Sequence, residues 1–242
     1  MKYRSIWISD LHLGSKGCSA LELLEFLKST DSENLYLVGD ILDFWKMSRK
    51  VHWPQSHTEV VRKILKKSKK GTKVIYIPGN HDELIRPYAG TIIGDIEVHK
   101  SYVHDCVDGR RLLVIHGDEF DVVTLNHRWL SHVGDVAYEA MIELNRGLNY
   151  LRRKTGLGHW SLSKVCKSKV KQAVNFIGNF EESVAKECKI KGYDGVVCGH
   201  IHTATIKEID GVTYYNDGDW VESCTALVEH FDGTFEILNF LE

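Results

Sequence analysis

At 242 residues, with 43% hydrophobic and 26% charged side chains, the chain has the composition of an ordinary globular protein large enough for one substantial core. A formal net charge of −2 excludes a generally polyanion-seeking surface, so affinity for nucleic acid or membrane must come from a local patch. No apolar run approaches the ~18 residues that span a bilayer, residues 1–8 lack the apolar core of a leader, and six scattered cysteines without a C-x-x-C pair fit reduced thiols in the cytoplasm.

Ile6-Trp7-Ile8 is a short apolar run that passes straight into Ser9-Asp10-Leu11-His12. Leu23, Leu24 and Leu27 then recur at helical spacing. Leu35-Tyr36-Leu37-Val38 leads into Gly39-Asp40, and Val60, Val61, Ile64 and Leu65 again follow a helical pattern. Residues 74–77 lead into Pro78-Gly79-Asn80-His81-Asp82. Short apolar runs bounded by glycine and charge read as buried strands, and their alternation with helices predicts a layered α/β core.

The later half changes character. Leu112-Leu113-Val114-Ile115 leads into His116-Gly117-Asp118, and Val196-Val197-Cys198 into Gly199-His200-Ile201-His202. Asp108-Gly109, Asp210-Gly211 and Asp232-Gly233 each separate strand-like segments, so 101–115, 205–216 and 225–240 are expected to be antiparallel hairpins. Between these, residues 122–191 carry little strand character. Val170, Val174, Ile177, Phe180, Val184 and Cys188 keep a three-to-four spacing that predicts a long amphipathic helix in a helical insertion. Cys198 reads as a small core residue.

The polar residues at the ends of these runs are Asp10, His12, Asp40, Asn80, His81, His116, His200 and His202. Strand ends of an α/β sheet are where loops converge on a ligand. Carboxylates, imidazoles and one amide together suit borderline divalent cations such as Mn²⁺, Zn²⁺ or Fe²⁺. Any one of these pieces alone is a turn or a structural histidine. Five in order, each at the end of a different apolar run, point to a site for two metals.

The ordered motifs Asp10-Leu11-His12, Gly39-Asp40-Ile41-Leu42-Asp43, Gly79-Asn80-His81-Asp82, His116-Gly117-Asp118 and Gly199-His200-Ile201-His202 resemble those of calcineurin-like metallophosphoesterases. The resemblance implies a four-layer α-β-β-α sandwich, one domain over 1–242 with a helical cap inserted at 122–191. It also implies two divalent ions, with Mn²⁺ the usual metal. One would take Asp10, His12, Asp40 and His202; the other would take Asp40, Asn80, His116 and His200, so that Asp40 bridges. Two such cations lower the pKa of a water that attacks phosphorus in line. His81 would face the phosphate and could protonate the leaving oxygen. Asp82 is expected either to orient His81 or to cap the segment that begins Glu83-Leu84.

Within that superfamily the chain resembles UDP-2,3-diacylglucosamine pyrophosphatase-like proteins of lipid A synthesis. The resemblance rests on Gly39 to Trp45, the insertion after His116, and Gly218-Asp219-Trp220. It implies a lipid-linked nucleotide substrate. Asp43 and Trp45 would touch it, together with Arg152, Arg153, Trp160, Lys164, Lys167 and Lys171 of a cap whose 146–171 stretch holds no Asp or Glu. That basic, apolar cap could also rest on an anionic membrane surface from the cytoplasmic side; the plainer reading is a solvated helix face. In the lipid A enzymes the position matching His81 is usually Arg, and a guanidinium and an imidazole are not interchangeable.

Three alternatives stay open. One is a paralogue acting on another nucleotide or lipid phosphoester. The second is a nuclease or cyclic-nucleotide phosphodiesterase, which the near-neutral charge disfavours for extended nucleic acid. The third is a non-catalytic scaffold, which would be expected to have lost ligands that are all present here.

Overall fold

The computed structural model describes residues 1–120 and 163–241, with side chains described outside 163–176. The chain forms two compact units, Met1–Asp118 with Glu181–Glu242, and Glu119–Phe180. The first unit carries both sheets.

Strands β1 (Lys2–Ile8), β2 (Asp31–Val38) and β3 (Lys73–Ile77) run parallel, with Ile6 beside Leu35, Trp7 beside Tyr36, and Val38 beside Ile77. They are joined through α1 (Ala20–Ser29), a short α2 (Phe44–Arg49) and α3 (Gln55–Lys69). The sheet is extended by β4 (Ile92–Ile93) and β5 (Ile96–Val98) on one side and by β11 (Thr225–Glu229) and β12 (Phe235–Asn239) on the other. The second sheet has the order β6-β7-β8-β10-β9, from Tyr102–Asp105, Arg111–Val114, Gly195–Cys198, Val212–Asn216 and Thr205–Ile209 respectively. All three Asp-Gly hairpins are present with antiparallel pairing.

The strands read as unbroken apolar runs because both of their faces are buried. Ile6, Ile8, Leu35 and Leu37 pack against Leu23, Leu27, Val60 and Ile64 of α1 and α3. On the opposite face Trp7, Tyr36, Val38 and Ile75 meet Leu112, Val114, Val197 and Tyr215 of the second sheet. Helix α4 (Ser163–Ile190) reaches the first unit over 181–190, where Val184, Ala185 and Cys188 are buried, Lys189 donates to Asp210 O and Glu181 pairs with Lys207. The layers are therefore α-β-β-α, as expected. Cys198 is buried in the core, and no disulfide occurs among the described cysteines.

A polar staple also crosses between the sheets. Glu229 accepts from Arg4 at 2.7 Å and from Ser5 at 3.1 Å, and lies 2.9 Å from His104 Nε2, whose Nδ1 is 2.8 Å from Tyr36. Burial pushes the Glu229 carboxyl up, and His104 and Arg4 more than offset it. Trp7 is fully buried and stacked on Tyr36 with ring centroids 5.0 Å apart. Trp7→Ala should cost about 3–5 kcal/mol through the cavity it leaves, read as a lowered urea midpoint with an unchanged slope.

Candidate metal centre

The ends of parallel strands β1, β2 and β3 lie at one edge, and the loops that follow are tied to each other. Asp10 N donates to Gly39 O at 3.0 Å, His12 N to Asp40 O at 2.9 Å and Leu13 N to Ile41 O at 3.0 Å. Within the second sheet Gly199 N donates to His116 O at 3.2 Å, and His200 N ties that sheet to the first by donating to Asp10 Oδ2 at 2.9 Å. These bonds hold unusual backbone. Asp10, His12, Asp40, His200 and His202 all have positive φ, between 49° and 70°. Such conformations cost ~1–3 kcal/mol each and persist only where surroundings over-determine them. They turn consecutive polar side chains off the strand ends toward a common centre.

Two donor clusters result. Asp10, His12 and His202 form one, and Asp40, His116 and His200 the other, with potential ligand atoms within 4.8 Å of one another in each. Asp40 lies between them, its Oδ2 3.5 Å from His116 Nε2 and 3.9 Å from His12 Nε2. A third grouping, His12, Asp43 and His81, shares His12 with the first. His104, Cys106 and Glu229 form a fourth, away from the strand ends, but His104 and Glu229 there are consumed by the inter-sheet staple. Glycine is required where the ligands crowd the backbone. A Cβ on Gly39, whose φ is +81°, would lie 2.2 Å from His116 Nδ1, and one on Gly79 would lie 2.3 Å from Asp40 Oδ1.

The donor set fits divalent metal. Asp10 Oδ1, Asn80 Oδ1 and His116 Nε2 are buried without a hydrogen-bond partner, which is costly unless something else satisfies them. His116 Nδ1 is 2.8 Å from Val38 O; a carbonyl only accepts, so Nδ1 carries the proton and Nε2 offers a lone pair. His12 repeats the arrangement, with Nδ1 3.3 Å from Asp43 Oδ2. The electrostatics agree. Burial alone would lower the His12 pKa, but Asp10, Asp43 and Asp40 lift it to about 10. Burial likewise opposes the charge of His116, and Asp40 raises its pKa well above the ordinary value. The same contacts hold Asp10 and Asp40 low against desolvation. The pocket stabilises positive charge, as protons or as cations.

Two expectations need correcting. The Asp82 side chain neither orients His81 nor caps the 3₁₀ helix Glu83–Tyr88, where it makes no capping bond. It accepts instead from Gly79 N at 2.6 Å, Ile41 N at 2.8 Å, Asp40 N and Leu42 N at 3.3 Å each, and Tyr76 Oη at 2.5 Å. Asp43 is 1% exposed and so does not face substrate. Its Oδ1 holds His81 Nδ1 at 3.0 Å and caps α2 at Lys46 N, while Oδ2 holds His12. Burial pushes Asp43 up, but His12 and His81 keep its carboxyl well below the usual range. Trp45 lies beside His81 with ring centroids 4.2 Å apart.

Arg152, Arg153 and Trp160 lie outside the described residues, as do the side chains of Lys164, Lys167 and Lys171 on α4. Asp219 and Trp220 of the C-terminal motif are structural: Asp219 accepts from Val221 N and Glu222 N, and Trp220 is buried against Phe26. Ser9, Tyr76 and Asp217, which bond to site residues or their neighbours, carried no motif to reveal them.

Strand ends, two donor clusters and an imidazole backed by a carboxylate together make a metal-dependent hydrolase type of site. The calcineurin-like phosphoesterase family matches residues 3–204, and the chain belongs to that family, metal-dependent hydrolases of phosphoester bonds. Among curated relatives, the UDP-2,3-diacylglucosamine hydrolase of Neisseria meningitidis serogroup B is 28% identical over 225 residues, covering 88% of each chain. That of Neisseria gonorrhoeae is 28% identical over 229 residues, covering 89% of each. A solved structure of a hypothetical protein from Pyrococcus horikoshii agrees in fold, with a TM-score of 0.51 at 14% identity over 99% of this chain and 88% of that one.

Asp10, Asp43 and Asp40 raise the His12 pKa to about 10, so a cation taking its ring nitrogen should displace a proton. Metal uptake should therefore release protons, and apparent affinity should rise about tenfold per pH unit for each proton displaced. Calorimetry of Mn²⁺ binding in buffers of different ionisation enthalpy, between pH 6 and 8, measures both.

Proposed function

We propose that the chain hydrolyses a pyrophosphate or phosphodiester bond in a lipid-linked nucleotide, UDP-2,3-diacylglucosamine or a near analogue. The observation that carries the hydrolytic centre is the pair of neighbouring donor clusters, Asp10-His12-His202 and Asp40-His116-His200, with His81 backed by a buried carboxylate. The substrate class rests on the two Neisseria relatives, whose names specify it and whose length this chain nearly spans.

In this reading Asp10, His12, Asp40 and His202 hold one cation, and Asp40, Asn80, His116 and His200 the other. Two bound divalent ions, Mn²⁺ in this proposal with Zn²⁺ or Fe²⁺ also suited to the donors, would activate a water and neutralise charge on the phosphoryl oxygens. The rest falls to the chain. Asp43 fixes the His81 tautomer with the proton on Nδ1, so Nε2 is the atom presented to substrate. Held in this orientation, the His81 ring would stabilise the phosphoryl charge and, carrying a proton on Nε2, pass it to the leaving oxygen. Trp45 restricts the swing of that ring. Arg152, Arg153, Trp160, Lys164, Lys167 and Lys171 are proposed to meet the diphosphate and acyl groups, and the same basic stretch to rest on an anionic cytoplasmic membrane face. No helix among the described residues is long and apolar enough to cross a membrane.

A second reading has a specific residue behind it. His81 stands where the lipid A enzymes usually carry Arg, which favours a paralogue cleaving another nucleotide or lipid phosphoester.

With Mn²⁺, Asp40→Ala should abolish hydrolysis of an aryl phosphodiester, and His81→Ala should lower kcat ~10²–10⁴-fold. Full activity in both variants would end the proposal. Asp43→Asn should lower kcat ~10–100-fold in the wild-type background, and much less when combined with His81→Ala, because the two act as a unit. Side-by-side turnover of UDP-2,3-diacylglucosamine, simple nucleotides, cyclic nucleotides and oligonucleotides decides the substrate; preference for any of the last three favours the second reading.

A further inference from the structure

Ser9 precedes Asp10, and its Oγ lies 2.6 Å from Asp10 Oδ2, 2.6 Å from Asp217 Oδ1 and 3.1 Å from Gly218 O. Ser9, Asp10 and Asp217 are all buried, at 1%, 0% and 0% exposure. Gly199 permits this close approach, since a Cβ there would lie 2.3 Å from Ser9 Oγ and 2.6 Å from Asp10 Oδ2.

The arrangement sets a proton count. A serine hydroxyl carries one proton, and an ionised carboxylate only accepts. With both aspartates ionised, one of the 2.6 Å contacts would press two oxygens together with no hydrogen between them. One carboxyl must therefore be the donor. Asp10 has the surroundings of an anion: His200 N donates to its Oδ2 at 2.9 Å, and His202 Nε2 lies 3.1 Å from its Oδ1. Among the described residues Asp217 forms no salt bridge, and its Oδ2 is buried without any hydrogen-bond partner. An unpaired ionised carboxylate in such a position is strongly disfavoured.

We propose that Asp217 is a neutral acid that donates its proton to Ser9 Oγ, while Ser9 donates to Asp10 Oδ2. The chain then runs in one direction, occupies Oδ2 and leaves Oδ1 of Asp10 as the oxygen offered to a cation. Burial, reinforced by the Asp10 charge, acts in the same sense and pushes the Asp217 carboxyl well up, against the pull of Ser9. Ser9 and Asp217 are positioning residues that act through Asp10, and the effect on metal rests on the reading of Asp10 as a ligand.

The test uses the full-length protein with Mn²⁺ as the probe. Asp217→Asn keeps a donor toward Ser9 without a charge, whereas Asp217→Leu keeps only bulk and Ser9→Ala removes the link. Asp217→Asn should bind Mn²⁺ within about threefold of wild type by calorimetry, and the other two should bind ~10–100-fold more weakly. Infrared difference spectra of the metal-free protein should contain a protonated-carboxyl C=O stretch that is lost in Asp217→Asn. Thermal melts identify any variant that fails to fold, and the infrared band in the wild type decides the question in that case. Asn binding as weakly as Leu, or the absence of that band, would overturn the proposal. Wild-type Mn²⁺ affinity in Asp10→Ala would instead refute the ligand assignment and leave the band untouched.

Discussion

The site depends on one carboxylate that reaches no ligand side chain. Asp82, at the start of the 3₁₀ helix, gathers four backbone N–H groups from the loops after β2 and β3 and the hydroxyl of Tyr76 from within β3. Without it, those N–H groups would be buried and unpaired, at ~1–3 kcal/mol each. Its more important effect is geometric. It fixes the Gly39-Asp40-Ile41 turn against the Gly79-Asn80-His81 turn, and Asp40 Oδ1 answers by accepting from His81 N at 2.8 Å. Two loops that are distant in sequence thus become a single edge, from which the Asp40 carboxylate and the His81 ring take their positions.

Asp43 shows the same economy with a different geometry. A carboxylate has two oxygens, and here one caps α2 and holds His81 while the other holds His12. The helix start, one candidate ligand and the candidate acid are thereby made to move together. Such outer carboxylates fix the tautomers of the rings they hold, and they govern a metal site nearly as firmly as the ligands themselves.

Much of this was legible in the sequence, for identifiable reasons. The central strands announced themselves because burial on both faces demands unbroken apolar runs, and the hairpins because Asp-Gly supplies the left-handed turn, with Asp210 and Gly211 both at positive φ. Strands β4 and β5 escaped because they are two and three residues long and Ile92 and Ile93 are 71% and 51% exposed, which leaves no periodicity to read. The donors were found through their shared position at strand ends. The partners behind them were not, since direction matters more than spacing: Asp82 sits next to His81 but points away from it, and Asp43 looked like a substrate contact until its burial was known. Ser9 and Asp217 are separated by 208 positions and neither residue type is conspicuous alone.

The left-handed backbone at Asp10, His12, Asp40, His200 and His202 is held by loop-to-loop hydrogen bonds and by glycine contacts too tight for any other residue. Positions without chemistry of their own therefore govern those that have it. A side chain added at Gly39 would press on His116, and one at Gly79 on both Asp40 and His116, so the donors of one cluster move with a change in a neighbouring turn. The least replaceable residues of such a centre include ones that donate nothing to it.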